Sequence, residues 1–407
     1  MQEKIYVMWG NVNTAIIMTD YNEEQVKVVN LSNEQFKLPF GYRTVISQNE
    51  LEDFLTYRCF PKTRANARQI LKASGISFYN IRDLLMKTHG VKNEDKMWLS
   101  FGVYPSGDYA KLRQRDTYNL YDPADKGYKH NIAVKSATDT AYLRITPEFC
   151  MYNELLTNGN QRKFRYADNW YKFDYYGYEG LAEVLCSRLA AALNLRCVQY
   201  SPFTRITNDG ILQGVTERGC VSHHFLGEDE CEFTLYRLLA YYKDISCLNL
   251  FRRSDISVEE RMESVTTSIV PLIGESTWLR TLGILLLFDA ITLNDDRHLN
   301  NIIFIYNTVT QTFRLAPLFD NGGALLSCYD ARATVDDVRS KPFSTSFRRQ
   351  LNCYKTLYGT ANIPKLPSSI NISVADIIPL YGGRLVNRCI TILKQQLSEF
   401  DCVLECD

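Results

Sequence analysis

Apolar and polar residues alternate along Lys4–Trp9, Thr14–Met18 and Gln25–Val29, and the turn-forming Gly10-Asn11 and Asp20-Tyr21-Asn22 separate these runs. The pattern predicts three short strands. Helical spacing follows over Asn49–Tyr57, Ala65–Ala73 and Ile81–Thr88, the last stopped by Gly90. From Ser106 to Asn131 the chain is polar and turn-rich, with Asp122-Pro123 and Lys126-Gly127, and a domain boundary is placed there. Ala141–Ile145 and Asn169–Phe173 read as strands. Tyr178–Leu195 reads as a helix with Leu181, Val184, Leu185, Leu189, Ala192 and Leu193 on one face. Gln199–Phe203 and Ile211–Cys220 read as further strands. Beyond about Leu235 the spacing is helical, interrupted at Ile302–Tyr306 and Phe313–Phe319, and it closes with an amphipathic helix near Leu385–Leu397. The expected organisation is an α/β head over 1–130, a strand-rich lobe over 131–225 and a mostly helical lobe over 226–407. A cleft between two unlike lobes is a natural ligand site.

Composition narrows the function classes. Among 407 residues, 46 Lys plus Arg balance 46 Asp plus Glu. No global basic field for gripping nucleic acid exists, and direct nucleic-acid binding is not expected. The 12 cysteines are scattered singly, with no C-x-x-C and no Cys/His set at zinc spacing. The chain starts Met1-Gln2-Glu3-Lys4 without a secretory pattern, so reduced thiols and a cytoplasmic setting are the expectation. The longest apolar run, Thr281–Ile291, follows Arg280, contains Asp289 and is too short to span a bilayer.

Candidate chemistry concentrates in Leu293-Asn294-Asp295-Asp296-Arg297-His298-Leu299-Asn300-Asn301, which follows the long apolar helix and precedes a strand. A second strand then ends at Asp320-Asn321-Gly322-Gly323. Phosphoryl transfer needs one carboxylate to orient the nucleophile's proton and an amide five residues on to help hold magnesium. It also needs a carboxylate at a nearby strand end to bridge that metal to the phosphates. Asp296, Asn301 and Asp320 have that spacing. Asn-Asp runs alone also serve turns and helix caps, and it is the pairing of the two segments across a hairpin that points to chemistry. Gly159-Asn160-Gln161-Arg162-Lys163 suits a loop over phosphates, with Lys163 as a point charge, and equally a solvated hairpin tip. Lys172 lies in a strand between aromatic neighbours. Glu179 and Glu183 lie off the apolar stripe of the following helix, where either pairs with Lys172 or faces water. His223 and His224, adjacent on a strand, point to opposite faces and make no metal site.

Together these segments resemble the HipA-like serine/threonine kinases of bacterial toxin–antitoxin systems. Asn294–Asn301 with Pro317-Leu318-Phe319-Asp320-Asn321-Gly322 is similar to the family's N-x-D-R-H-x-x-N and P-x-F-D-x-G signatures, and Gly159–Lys163 to its G-x-Q-x-K loop. Trp170-Tyr171-Lys172 resembles its nucleotide-lysine strand, and Glu183–Leu189 the helix after it. The resemblance covers residues 150 to 330 by motif. It implies an α+β, bilobal protein-kinase-like fold with a strand-rich N-lobe, a mostly helical C-lobe and an extra α/β N-terminal head. It further implies ATP and Mg2+ as cofactors, Asp296 as catalytic base, Asn301 and Asp320 as metal ligands, and Lys172 with Glu183 at the phosphates. Gly159, Gln161 and Lys163 would form the phosphate loop, His298 would be a structural part of the catalytic loop, and the backbone of Ser222–Phe225 the adenine hinge. A protein Ser/Thr substrate and an antitoxin or activator protein are the implied partners. Leu156 stands where the family's best-known members carry an autophosphorylated serine, with Thr157 beside it.

Other readings of the same residues are a kinase-fold enzyme acting on a small molecule, one transferring AMP, and a nucleotide-binding module that recruits a partner. Phe343-Ser344-Thr345-Ser346-Phe347, flanked by Lys341, Arg348 and Arg349, is a hydroxyl cluster where phosphate could meet arginines. A solvated loop is its plainer reading.

Overall fold

The structure, a computed structural model, describes residues 3–64, 66–105, 109, 112, 132–136, 143–145, 159–166, 168–207, 215–242 and 246–406. Leu156, Thr157 and most of the Ser106–Asn131 boundary lie outside the described residues. The chain forms two compact units. One comprises Met1–Ala133, Leu143–Tyr171 and Ile206–Val215; the other comprises Val134–Tyr142, Lys172–Arg205 and Thr216–Asp407.

The first unit contains strands β1 (Glu3–Trp9), β2 (Val12–Thr19), β3 (Gln25–Asn30), β4 (Pro39–Tyr42), β5 (Val45–Ser47) and β6 (Met97–Phe101), with helices between β5 and β6 along the chain. Five of them form an antiparallel sheet in the order β5-β3-β2-β1-β6. Alternation sends Ile5, Val7, Ala15, Ile17, Val26 and Val28 into the core, as the period of two requires. Helix α1 (Gln48–Tyr57) starts at a capping box in which Ser47 and Glu50 each bond the other's amide. Helix α2 covers Ala67–Ala73, and α3 (Ile81–Thr88) ends at His89 and Gly90, both at positive φ. Arg58, just after α1, is fully buried. It donates to Asp95 at 2.7 and 3.0 Å and to the Gly90 carbonyl at 2.7 Å, locking α1 to the approach of β6. The strands and helices expected here are present. Three further strands, β4 to β6, were not expected, because they are short and carry Pro39, Gly41 or no alternation.

Strands β7 (Ile132–Ser136), β8 (Leu143–Ile145) and β9 (Lys163–Tyr166) follow along the chain. In the second unit β10 (Asn169–Phe173), from Lys172 on, leads to helix α4 (Glu179–Ala192), and β11 (Tyr200–Thr207), β12 (Val215–His223) and β10 neighbour each other in that order. The close approach of β12 to β10 depends on Gly219, where a Cβ would stand 1.9 Å from the Lys172 carbonyl oxygen. Strand β13 (Glu230–Thr234) pairs antiparallel with β14 (Ile303–Asn307), and β14 with β15 (Thr312–Leu315).

Between these strands, α5 (Val258–Ile273) begins at a Ser257/Glu260 capping box, and α6 (Glu275–Thr292) is buried along nearly all of its second half. Helices α7 (Phe347–Tyr358) and α8 (Gly383–Ser398) pack on it, and β16 (Ser369–Ile372) pairs in parallel with β17 (Val403–Cys406). The fold is thus mixed α+β. Three expectations need correction. Helix α4 is buried on all sides, not on one stripe, and strand β13 occupies a stretch with no strand in the sequence reading. Leu318 of the expected Phe313–Phe319 strand instead bridges Cys197 in parallel. All eleven described cysteines are free, and no helix among the described residues is long and apolar enough to cross a membrane.

Candidate active site

Lys172 lies near the end of β10 with its side chain buried. Its Nζ donates to Glu183 Oε1 at 2.6 Å and to Asp320 Oδ1 at 2.7 Å, with the Tyr200 hydroxyl at 3.4 Å. Glu183 is reached because helix α4 runs directly after β10 and turns the Glu183 position toward the strand. Burial presses against the charge on Lys172, but the Asp320 and Glu183 carboxylates outweigh it and hold the ammonium well above its usual pKa. Burial, reinforced by the Asp320 charge, pushes Glu183 up, since one cation serves two carboxylates. The second oxygen of Glu183 accepts from the Asn321 amide at 2.8 Å, so the same carboxylate fixes the segment bearing Asp320. Asp320 itself sits at φ 56, a left-handed conformation that Asp tolerates better than most residues.

Glu179, open in the sequence reading, does not pair with Lys172. Its carboxylate accepts from the amides of Tyr175, Tyr176 and Gly177 at 3.2, 2.7 and 3.1 Å, shaping the turn into α4. Beside it, Asp174 accepts from the Gly180 amide at 2.6 Å, and burial pushes its carboxyl up to about 6.

The second segment follows the left-handed cap of α6 at Leu293. Asn294 Oδ1 accepts from the Asp296 amide at 3.1 Å, an Asx turn that explains this residue type there. Its Nδ2 donates to Asn321 Oδ1 at 3.2 Å. The two adjacent aspartates are placed differently. Asp295 accepts from the Tyr329 hydroxyl at 2.6 Å and is pushed up by burial. Asp296 is half-exposed, with Lys341 Nζ at 3.4 Å and His298 Nε2 at 3.7 Å from its Oδ1. Asp296 is therefore the carboxylate open to an incoming group. Asn301 Nδ2 donates to the Asp296 carbonyl at 2.8 Å, which orients the amide and leaves Oδ1 for another partner. His298 caps the short turn Leu299–Asn301, its Nδ1 lying 3.2 Å from the Asn300 amide.

Arg297 ties the two segments together. Buried, it grips Asp289 of α6 through three contacts of 3.1 to 3.2 Å and donates to the carbonyls of Asn301 and Phe319 at 3.1 Å. It also reaches Asn321 Oδ1 at 2.6 Å. Sequence reasoning named Arg297, Asp289, Asn321 and Lys341 but gave none of them a role in the site. The available signal was Asp289, a lone charge inside an apolar helix, which needs a buried partner. Near the Ser222–Phe225 segment, Phe225 and Leu226 pack on Ile303, Ile305 and Ala316. The Phe225 and Phe319 rings stand 5.5 Å apart, giving an apolar wall next to Asp320.

The donor set fits a small hard cation. Asp320 offers a partly exposed carboxylate and Asn301 an oriented amide oxygen, both oxygen ligands of the kind magnesium prefers. No cluster of three or more His, Cys, Asp or Glu suited to a metal occurs among the described residues, so such an ion would need further oxygens from phosphate and water.

Gly159, Gln161 and Lys163 belong to the first unit. Gly159 has φ +83, with Lys163 Nζ 3.4 Å from where its Cβ would lie. Arg64 donates to the Gly159 carbonyl at 2.9 and 2.6 Å, and Thr63 Oγ1 to Asn160 Oδ1 at 2.8 Å.

No family model and no curated protein matches the chain. Among solved structures it is similar to HipA of Shewanella oneidensis MR-1, determined with HipB and operator DNA. That likeness has 12% identity and a TM-score of 0.47, and covers 97% of this chain and 88% of that one. It is also similar to the Helicobacter pylori proinflammatory kinase CtkA, at 14% identity and a TM-score of 0.40, over 60% of this chain and 89% of that one. The likeness is one of outline; the functional reading rests on the side chains above.

Proposed function

We propose that the chain is an ATP- and magnesium-dependent phosphotransferase of the HipA-like kinase type, acting on Ser or Thr of another protein. The observation that carries this reading is the buried Lys172 ammonium held between Glu183 and Asp320, with Arg297 coupling the Asp320 segment to the loop of Asp296 and Asn301. A preorganised cation beside an oxygen-donor pair and an open carboxylate supplies what phosphoryl transfer asks of a protein.

In this reading Lys172 exchanges its contact with Asp320 for the α- and β-phosphates while Glu183 keeps it oriented. Asn301 Oδ1 and the released Asp320 carboxylate would hold magnesium, which when bound supplies charge neutralisation at the β- and γ-phosphates. Asp296 accepts the proton of the acceptor hydroxyl, and its solvent exposure leaves room for a protein loop to present that hydroxyl. Gly159, Gln161 and Lys163 are the phosphate loop that the motif resemblance alone implies, and Phe225, Leu226 and Phe319 offer the adenine an apolar surface. An antitoxin or activator protein is carried as the partner that the motif resemblance implies.

The test uses ATP labelled at the γ- or the α-phosphate, magnesium and a protein lysate as acceptor. Label from the γ-position on protein Ser or Thr, lost in Asp296→Asn and Lys172→Met, is the expected result. Label from the α-position would replace phosphoryl transfer by AMP transfer. Label on small alcohols alone would replace the protein acceptor.

A further inference from the structure

The loop after Val338 joins the candidate base to a cavity that the proposed reaction does not use. Its Lys341 reaches Asp296, and a few residues on, Thr345 and Ser346 line a cavity of about 640 Å³ in the second unit. Three arginines from separate elements line the same space: Arg339 from the loop, Arg348 from α7 and Arg388 from α8. Two carboxylates, Asp336 and Glu399, face it as well, and Arg348 is paired with Glu399. Arg339 and Arg388 are committed differently. Arg339 donates to the Asp336 carbonyl at 3.3 Å, and Arg388 to the carbonyls of Asp330 and Ala333 at 3.1 and 3.3 Å. Asp337 interacts electrostatically with Arg339, but main-chain carbonyls orient both guanidinium groups and neither has a salt bridge among the described residues, so both can still meet an anion with several acceptor oxygens.

The hydroxyls are also unequal. Ser346 Oγ already caps α7, and Ser344 Oγ accepts from the Ser346 amide at 3.2 Å. Thr345 is exposed, and its Oγ1 has no hydrogen bond among the described residues. Its carbonyl accepts from the Ser340 amide at 3.4 Å, which brings Thr345 alongside Arg339.

We infer that the cavity is a phosphate site and that its ligand is a phosphoryl group carried on Thr345, read by Arg339 and Arg388. The phosphoryl donor rests on the proposed kinase reading. Thr345 Oγ1 of one copy attacks the γ-phosphorus of ATP held by another, the bond from that phosphorus to the β-bridging oxygen breaks, and ADP leaves. The hydroxyl proton passes to Asp296 of the transferring copy and then to solvent. A phosphothreonine brings a charge of about −1.5 to −2 and three acceptor oxygens, enough to draw the Ser340–Thr345 segment toward Arg388. Lys341 travels with that segment, so the modification loosens its contact with Asp296 and frees the carboxylate for acceptor hydroxyls.

Two measurements decide the matter. After incubation with ATP and magnesium, peptide mapping should find phosphate on Thr345 in the parent and none in Asp320→Asn. Independently, full-length chain carrying phosphothreonine installed at 345 during translation should show hydrogen exchange across 338–346 slowed at least about threefold, order being gained through charge-assisted hydrogen bonds. Arg339→Gln with Arg388→Gln should abolish that slowing. A preparation that phosphorylates other acceptors but leaves Thr345 bare overturns self-modification and leaves the kinase reading standing. One that transfers nothing to any acceptor counts against the kinase reading, and the installed phosphothreonine still decides the cavity: unchanged exchange overturns it. Inorganic phosphate alone giving equal slowing in unmodified chain would show a site for free anion and refute the covalent ligand.

Discussion

Replacing Arg297 by Gln is the perturbation whose consequences can be worked furthest from the structure. The guanidinium and Asp289 are both buried, at 1% and 0% side-chain exposure, and no other cation contacts Asp289 among the described residues. Breaking one side of such a pair leaves a desolvated charge and costs about 3–5 kcal/mol. The remaining bonds of Arg297, to Asn301 O, Phe319 O and Asn321 Oδ1, would be replaced by at most two from a shorter amide.

The sign of the pH dependence follows from Asp289. Burial already raises its pKa with Arg297 in place, and without that cation the rise is larger. A raised carboxyl favours the fold below its unfolded pKa of about 3.9 and loses that contribution as pH climbs through the folded value. The variant's loss should therefore be full at pH 8 and smaller in mildly acid solution. Hydrogen exchange of the α6 peptides, corrected for intrinsic rate, reads the opening free energy directly. Adding Asp289→Asn should recover most of the loss, giving a coupling well above the scatter of independent sites. A loss below about 1 kcal/mol, against the 3–5 expected for an orphaned buried charge, or one equal at both pH values, would refute the idea that Arg297 joins the two loops through a buried ion pair.

Other expectations follow from single contacts. Gly219→Ala drives a Cβ into the Lys172 carbonyl and should destabilise the second unit by about 1–3 kcal/mol or more, read as a lower melting temperature together with weakened nucleotide binding. Asp174, pushed up to about 6 by burial, has its full contribution only below the unfolded pKa of about 3.9 and loses it as pH rises through the folded value, so Asp174→Asn should raise the melting temperature at about pH 8 and do little near pH 3. Asp296→Asn, at a half-exposed position, should leave stability within about 0.5 kcal/mol of the parent and lower kcat for transfer by about 10²–10⁴. Full activity in that variant would remove the assigned base.

Much of the local structure was legible because its signals are local. Alternation marked β1 to β3, and the Gly90 stop marked the end of α3. The spacing from Asp296 to Asn301 and on to Asp320 pointed to segments that Arg297 and Asn321 do bring together. What stayed hidden depends on tertiary partners. The stripe on α4 gave no hint that its polar face is also buried, because Glu183 is satisfied by Lys172 on the preceding strand and Glu179 by main-chain amides of the turn that enters the helix. Strand β13, with sequence Glu-Cys-Glu-Phe-Thr, is held by pairing with β14, as in Glu230 with Asn307 and Thr234 with Ile303, far along the chain, and a short half-charged run carries little strand signal alone. Lys341 was noticed only as a neighbour of hydroxyls, since nothing in sequence ties it to Asp296.

The central claim is that the Lys172, Asp296, Asn301 and Asp320 side chains form a working ATP site. The most direct measurement is ATP turnover and intact mass of purified parent protein with magnesium, run beside Asp320→Ala. The account predicts nucleotide binding, with hydrolysis or a gain of phosphate in the parent alone. Absence of nucleotide binding in the parent, or equal turnover in both proteins, would contradict it.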